Sequence, residues 1–233
     1  NLRMACEAFD LVTRTVVEER RRLERYIVRH PEFLTSLVPV ELLDDPPEAA
    51  LRMAEAARLT GLGPMAAVAG TLAQLGAEAA MAIGCREAII ENGGDIFLYS
   101  DSEVTIGLYA GDNAIGNSLA FRIDPKNLPM ALCSSSSKMG HSLSFGRCDL
   151  ATVAAKDGAL ADAAVTLVCN LIQNERDITP VLERVGAIPG IDGILAVKNG
   201  QIGLWGQLPQ LVRNQDAASR RKITRDLHSD FLG

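Results

Sequence analysis

Asp162 and Thr166 stand four residues apart in Ala-Asp-Ala-Ala-Val-Thr (Ala161–Thr166), so in a helix both side-chain oxygens leave one face. A carboxylate and a hydroxyl, completed by a backbone carbonyl and by water or phosphate oxygens, suit a hard cation such as magnesium. The same spacing suits a structural use, with Asp162 stabilising the start of its own helix and Thr166 bonding back to the Asp162 carbonyl. Spacing alone favours that structural use. Upstream, His141 sits between Gly140 and Ser142, beside hydroxyls that it could orient or deprotonate as a general base. Ser134 to Ser137 offer hydroxyls and amides to phosphate or ring oxygens, or serve as loop filler. Cys133 adjoins them as a candidate nucleophile or sulfur carrier, although a cysteine at a strand end is more often inert core. Glu91 and Asp95 flank the Asn92-Gly93-Gly94 break and offer acid/base work or ribose contacts, or simply solvate a hairpin. The stretch Leu132 to Asn170 therefore holds most of the polar chemistry. A loop so rich in hydroxyl and glycine buries little apolar surface, which places it with binding rather than core.

Such residues need rigid elements to hold them. A strand is expected within residues 1 to 12, then a helix from about Thr13 to Arg29, ended by His30-Pro31. Acids and prolines at Asp44 to Pro47 announce a second helix that stops at Gly61. A third runs from Pro64 to about Ile83 and closes at Gly84. Its first turns are nearly all small (Ala66, Ala67, Ala69, Gly70, Ala73), which suits tight packing or the close approach of a ligand, and its free amides would suit an anion. Strands follow at Glu87–Ile90 and Ile96–Tyr99 across a tight glycine turn. Further strands are expected at 104–109, 119–123, 130–133 and 150–154. Helices over 159–172 and 179–185 come next, then an Asn199-Gly200 hairpin. A helical part (about 13–83), a sheet-rich part (about 86–205) and a polar tail (213–233) give one α+β domain, an antiparallel sheet backed by helices.

Composition excludes several classes. The chain has 233 residues, 48% hydrophobic and 22% charged, with a net charge of −6, so no global field draws it to nucleic acid or an anionic membrane. Aromatics make up only 4%, too few for a platform on which single-stranded nucleic acid stacks. The N-terminal arginines (Arg14 to Arg29) alternate with Glu18, Glu19 and Glu24 and read as a solvated helix face. The five cysteines show no Cys-x-x-Cys spacing, so reduced thiols in the cytoplasm are expected. The apolar run from Met65 to Cys85 is interrupted by Gly70, Gln74, Gly76 and Glu78, and no membrane span is expected.

Three stretches taken together add to this reading. Gly-Pro-Met-Ala-Ala-Val-Ala-Gly (Gly63–Gly70), Glu-Asn-Gly-Gly-Asp-Ile (Glu91–Ile96) and Gly-His-Ser-Leu-Ser-Phe-Gly (Gly140–Gly146), with Ala161–Thr166, make the chain resemble a prokaryotic branch of the ApbE superfamily of FAD:protein FMN transferases. The resemblance covers roughly Gly61 to Trp205. It implies an ApbE-like α+β fold and a flavin (FAD or FMN) or related nucleotide bound with Mg2+, the transferases moving FMN onto a threonine of a protein acceptor. It also implies that Asp162 and Thr166 hold the metal with a carbonyl near Ala66, and that Asn92, Gly93, Gly94 and Asp95 lie against the nucleotide. Ser134 and Ser135 would form the flavin wall, and His141 would be the catalytic histidine. Where the transferases continue His-x-x-Asp-Pro-x-Thr-Gly, this chain has Ser142-Leu143-Ser144-Phe145-Gly146 after His141. A cytoplasmic nucleotide-binding transferase or hydrolase is the first expectation. The alternatives are a binding module without catalysis and a sulfur-assimilation accessory protein working through Cys133. A protein acceptor and a homo-oligomeric state are left open.

Overall fold

A computed structural model describes residues 2–108, 119–137 and 145–214. Strand β1 (Leu2–Cys6) leads into helix α1 (Phe9–Arg29), a short α2 (Pro31–Thr35), α3 (Glu48–Thr60) and α4 (Val68–Ala82). Strands β2 (Glu87–Asn92), β3 (Asp95–Ser100), β4 (Val104–Gly107), β5 (Leu119–Ile123), β6 (Met130–Ser135) and β7 (Leu150–Ala155) follow. The rest is α5 (Gly158–Leu171), α6 (Ile178–Gly186), β8 (Ile191–Lys198), β9 (Gln201–Gly206) and β10 (Gln210–Arg213). Seven strands form one antiparallel sheet in the order β1-β2-β3-β6-β7-β8-β9, and β10-β5-β4 form a second. The expected α+β class holds.

Period-two alternation divides the large sheet between two cores. Phe97, Ala131, Cys133, Val153 and Ile194 face α1, α4, α5 and α6. Their neighbours Leu98, Leu132, Ala154 and Leu195 face Phe121 and Ile123 of the small sheet. All six residues of β7 are buried, because this strand is covered on both faces; it therefore reads as a continuous apolar run. The small residues of α4 and α5 have a corresponding use. Helix α5 is packed against β6, β7, α3 and α4 together, and only short side chains let four neighbours approach one helix.

Several expected boundaries move. Helix α1 begins at Phe9 rather than Thr13, because Val12, fully buried, extends the stripe of Val16, Leu23 and Tyr26 by a turn. Val17, next to Val16 in sequence, lies off that stripe and is 42% exposed. The arginine-rich face carries the pairs Arg20–Glu24 (2.9 Å) and Arg22–Glu19 (2.8 Å). The helix expected from Pro64 starts as a 3-10 turn, Pro64–Ala67, and becomes α-helical at Val68. The serine run does not begin as a loop. Ser134 and Ser135 belong to β6, paired with Thr152 and Ala151 of β7. Strand β10, between the expected sheet-rich part and the polar tail, was not expected and pairs with β5; the tail from residue 215 on lies outside the described residues.

Helix α5 is started by Asp157, whose side chain accepts a 2.7 Å bond from the Leu160 amide. Asp157→Ala is expected to cost about 1 kcal/mol, read as a lower urea midpoint with an unchanged m-value.

Candidate functional site

The site lies where the β3–β6 pair meets the N-terminal turns of α4 and α5. The turn Gly93-Gly94 joins β2 to β3 in two residues, both at positive φ (73° and 124°), a conformation that favours glycine. This brings Asp95, the first residue of β3, opposite Cys133 of β6. The Gly94 carbonyl accepts from the Ser134 amide at 3.1 Å, which fixes the turn against β6. Asn92 reaches the other way, its Nδ2 donating to the Ala69 carbonyl in the first turn of α4 (3.3 Å).

Asp162 is the fifth residue of α5 and is only 7% exposed. Its Oδ2 accepts from the Gly70 amide at 2.9 Å, so the carboxylate sits at the start of α4 rather than of its own helix. Asp157 already occupies the start of α5. The structural use that spacing favoured is thereby corrected: Asp162 meets an N-terminus, but a different helix supplies it. The anion expected at the free amides of the Pro64 segment is this chain's own carboxylate. Burial pushes the Asp162 carboxyl up to about 7, and the amides of Gly70 and Ala69 pull it only part of the way back.

The close crossing of α4 and α5 makes this contact possible. Gly70 and Gly158 pack backbone against backbone, and a Cβ on Gly70 would overlap the Gly158 carbonyl oxygen. Gln74 locks the crossing, its Oε1 accepting from the Gly158 amide at 2.6 Å while its Nε2 donates to Glu78 at 2.9 Å. The Gln74 link was not legible in the sequence, since one polar residue on a small-residue helix gives no sign of its partner. Gly70 did carry a signal, as the last residue of the Gly63–Gly70 stretch.

Asp95 and Asp162 share this corner. Burial is the largest influence on Asp95 and raises its carboxyl well above the usual range, and the neighbouring Asp162 raises it further. Among the described residues no lysine or arginine is seen to act on either carboxylate. Cys133 is fully buried beside them, its Sγ 3.8 Å from the Gly158 carbonyl. Burial and the two acids hold its thiol well above the usual value. A reactive cysteine needs the opposite surroundings, so this geometry gives a nucleophilic or sulfur-carrier Cys133 no support.

The remaining candidates divide. Thr166, one turn beyond Asp162 on α5, is half-buried. Ala66 lies in the 3-10 turn leading into α4, its amide donating to Gly63 at 3.1 Å. Ser134 and Ser135 are not brought together, because alternation sends them to opposite faces. The Ser134 hydroxyl pairs with Thr152 at 2.9 Å, whereas Ser135 meets the Cys169 thiol on the helix side. Only Ser135 shares the face of Asp95 and Asp162. His141 falls outside the described residues.

The donor set suits a hard cation on the ground of its charge. Among the described residues, the two buried carboxylates are seen with no basic partner and Asp95 Oδ1 with no hydrogen-bond partner. Burying such a pair is costly unless a proton or cation offsets it. Among the described residues no group of three or more His, Cys, Asp or Glu side chains forms a metal cluster, so hydroxyl and carbonyl oxygens would have to complete the set.

A family model described as "AbpE bacteria" matches residues 4–188. The chain belongs to this family. Among its relatives, UPF0280 protein MmarC7_0482 of Methanococcus maripaludis is 42% identical over 209 residues, covering 88% of this chain and 85% of that protein. UPF0280 protein MJ1526 of Methanocaldococcus jannaschii is 41% identical over 203 residues, covering 85% and 82%. Among solved structures, the AbpE-family chain is similar to the ApbE protein of Thermotoga maritima (14% identity, TM-score 0.47, 84% of this chain and 75% of that one). It is similar also to the flavin transferase ApbE of Vibrio cholerae (16%, TM-score 0.44, 83% and 74%).

Proposed function

We propose that this AbpE-family protein binds a flavin nucleotide (FAD or FMN) together with Mg2+ and acts on it as a transferase or hydrolase in the cytoplasm. The observation that carries the reading is the buried Asp162 carboxylate, held by the Gly70 amide beside a second acid and with no basic neighbour seen among the described residues. Asp162, the Thr166 hydroxyl and a carbonyl near Ala66 would hold the cation. When bound, the cation would supply positive charge to pyrophosphate oxygens. The chain's own residues do the positioning. Asn92 ties the Gly93-Gly94 turn to α4 through the Ala69 carbonyl, which leaves that turn at the edge of the site for the nucleotide. Ser135 is on the face that would meet it, and His141 is the residue assigned to proton transfer. No helix among the described residues is long and apolar enough to cross a membrane.

The test is FAD binding by the full chain, followed by fluorescence and thermal unfolding, with Mg2+ or with chelator. FAD at a hundred times its Kd should add about 2.7 kcal/mol to stability, and this gain should vanish in chelator. Release of FMN or AMP should be lost in His141→Ala while binding survives. Absence of any bound flavin with Mg2+ present would overturn the reading. Binding without turnover in the wild type would instead identify a module that keeps the ligand and performs no chemistry.

A further inference from the structure

We propose that Asp95 is a second carboxylate ligand of the cation assigned to Asp162, contributing its Oδ1. This inference rests on the cation reading above and extends it to a residue that the sequence had set against the nucleotide.

Three observations converge on it. Asp95 is only 9% exposed, and its Oδ1 is fully covered without a hydrogen-bond partner. The Cys133 thiol and the Ser134 amide lie near the carboxylate and favour its charged form, but neither satisfies that oxygen. An orphaned buried acceptor is a cost to folding that a ligand can remove.

The direction of the side chain is set by the sheet. Asp95 precedes Ile96 at the start of β3 and alternates with it, so it shares the helix-facing side with Phe97 and Cys133. Asp162 approaches that side from α5, whose first residue, Gly158, meets Cys133, the strand partner of Asp95, and its charge acts on the Asp95 carboxyl. The third acid acting on Asp95 is Glu91, which is half-buried at the end of β2. Arg3, opposite Glu91 in the β1–β2 pair, offsets that acid, but among the described residues no positive group is seen to act on Asp95 or Asp162. A divalent cation between Asp95 and Asp162 meets both needs together: it fills the vacant lone pairs of Oδ1 and neutralises two like charges in a region of low dielectric. The two-residue Gly93-Gly94 turn starts β3 at Asp95, three residues after Asn92, whose Nδ2 reaches the Ala69 carbonyl in the first turn of α4.

The test is Mn2+ or Mg2+ titration by calorimetry into chelator-treated full chain without nucleotide, comparing wild type, Asp95→Asn and Asp162→Asn. Asp95→Asn is expected to weaken cation binding roughly 10–100-fold, and Asp162→Asn to abolish it. Mn2+ bound to Asp95→Asn should also show faster water proton relaxation, because solvent takes the vacated position. Unchanged affinity in Asp95→Asn with loss in Asp162→Asn would overturn the inference and leave the cation site standing. Unchanged affinity in both variants would remove the site itself. Should Asp95→Asn fail to fold, 13C-aspartate spectra of the wild type decide: two buried carboxyl resonances should move on adding Mg2+, and movement of one alone overturns the proposal.

Discussion

Gly70→Ala is expected to destabilise the protein by about 3 kcal/mol, which lowers its thermal midpoint by roughly 6–12 °C. The loss would not come from backbone strain, because Gly70 is not among the residues at positive φ. It comes from space. A Cβ at this position would overlap the Gly158 carbonyl oxygen and lie 2.8 Å from Asp162 Cβ. Neither obstacle is the end of a flexible side chain. Helices α4 and α5 would have to separate, but Gln74 ties them through the Gly158 amide and α5 is backed by β6 and β7. The same displacement would draw the Gly70 amide away from Asp162, so cation affinity should fall along with stability. Ala69→Gly is the control. It changes helix propensity by about 1 kcal/mol and adds no atom to the crossing. Equal effects of the two substitutions would show that the crossing is looser than its geometry implies.

What could be read from the chain, and what could not, follows from which interactions are local. The turns at Gly93-Gly94 and Asn199-Gly200 were legible because their conformation is a property of the residues themselves: all four have positive φ. The stop at Gly61, also at positive φ, is of the same kind. Strand β10 was not legible. Gln210–Arg213 has little alternation, and its reason to be extended is β5, some ninety residues earlier. Ser134 and Ser135 were read as loop because serine favours turns, yet β7 supplies their backbone partners and Thr152 one of the hydroxyl partners. At the site, the spacing of Asp162 and Thr166 correctly implied a shared helix face. Periodicity says nothing of what lies opposite that face. It could not show that Asp162 would start α4, or that Asp95 would arrive beside it from the sheet.

The two buried acids make stability depend on pH in a direction opposite to that of ordinary surface ion pairs. The Asp162 carboxyl ionises at about 7 in the folded chain and near 3.9 when unfolded. Between those values the folded state holds the extra proton, so stability falls as pH rises from about 4 to about 7 and levels off above. A difference of about three pH units corresponds to roughly 4 kcal/mol. Asp95, raised by burial and by Asp162, acts in the same direction. Glu55, Asp124 and Glu175 are lowered by their partners and act in the opposite direction. Urea unfolding of the chelator-treated protein should therefore give a higher midpoint at pH 5 than at pH 8. In Asp162→Asn, where no charge forms, most of that difference should disappear. Mg2+ should raise the wild-type midpoint at pH 8 far more than at pH 5, since a carboxylate must lose its proton before it can hold a cation. A wild-type midpoint that is flat or rising between pH 5 and pH 8, with the variant parallel to it, would mean that the corner is wetter than its burial indicates. The electrostatic case for a cation at Asp162 would then fail.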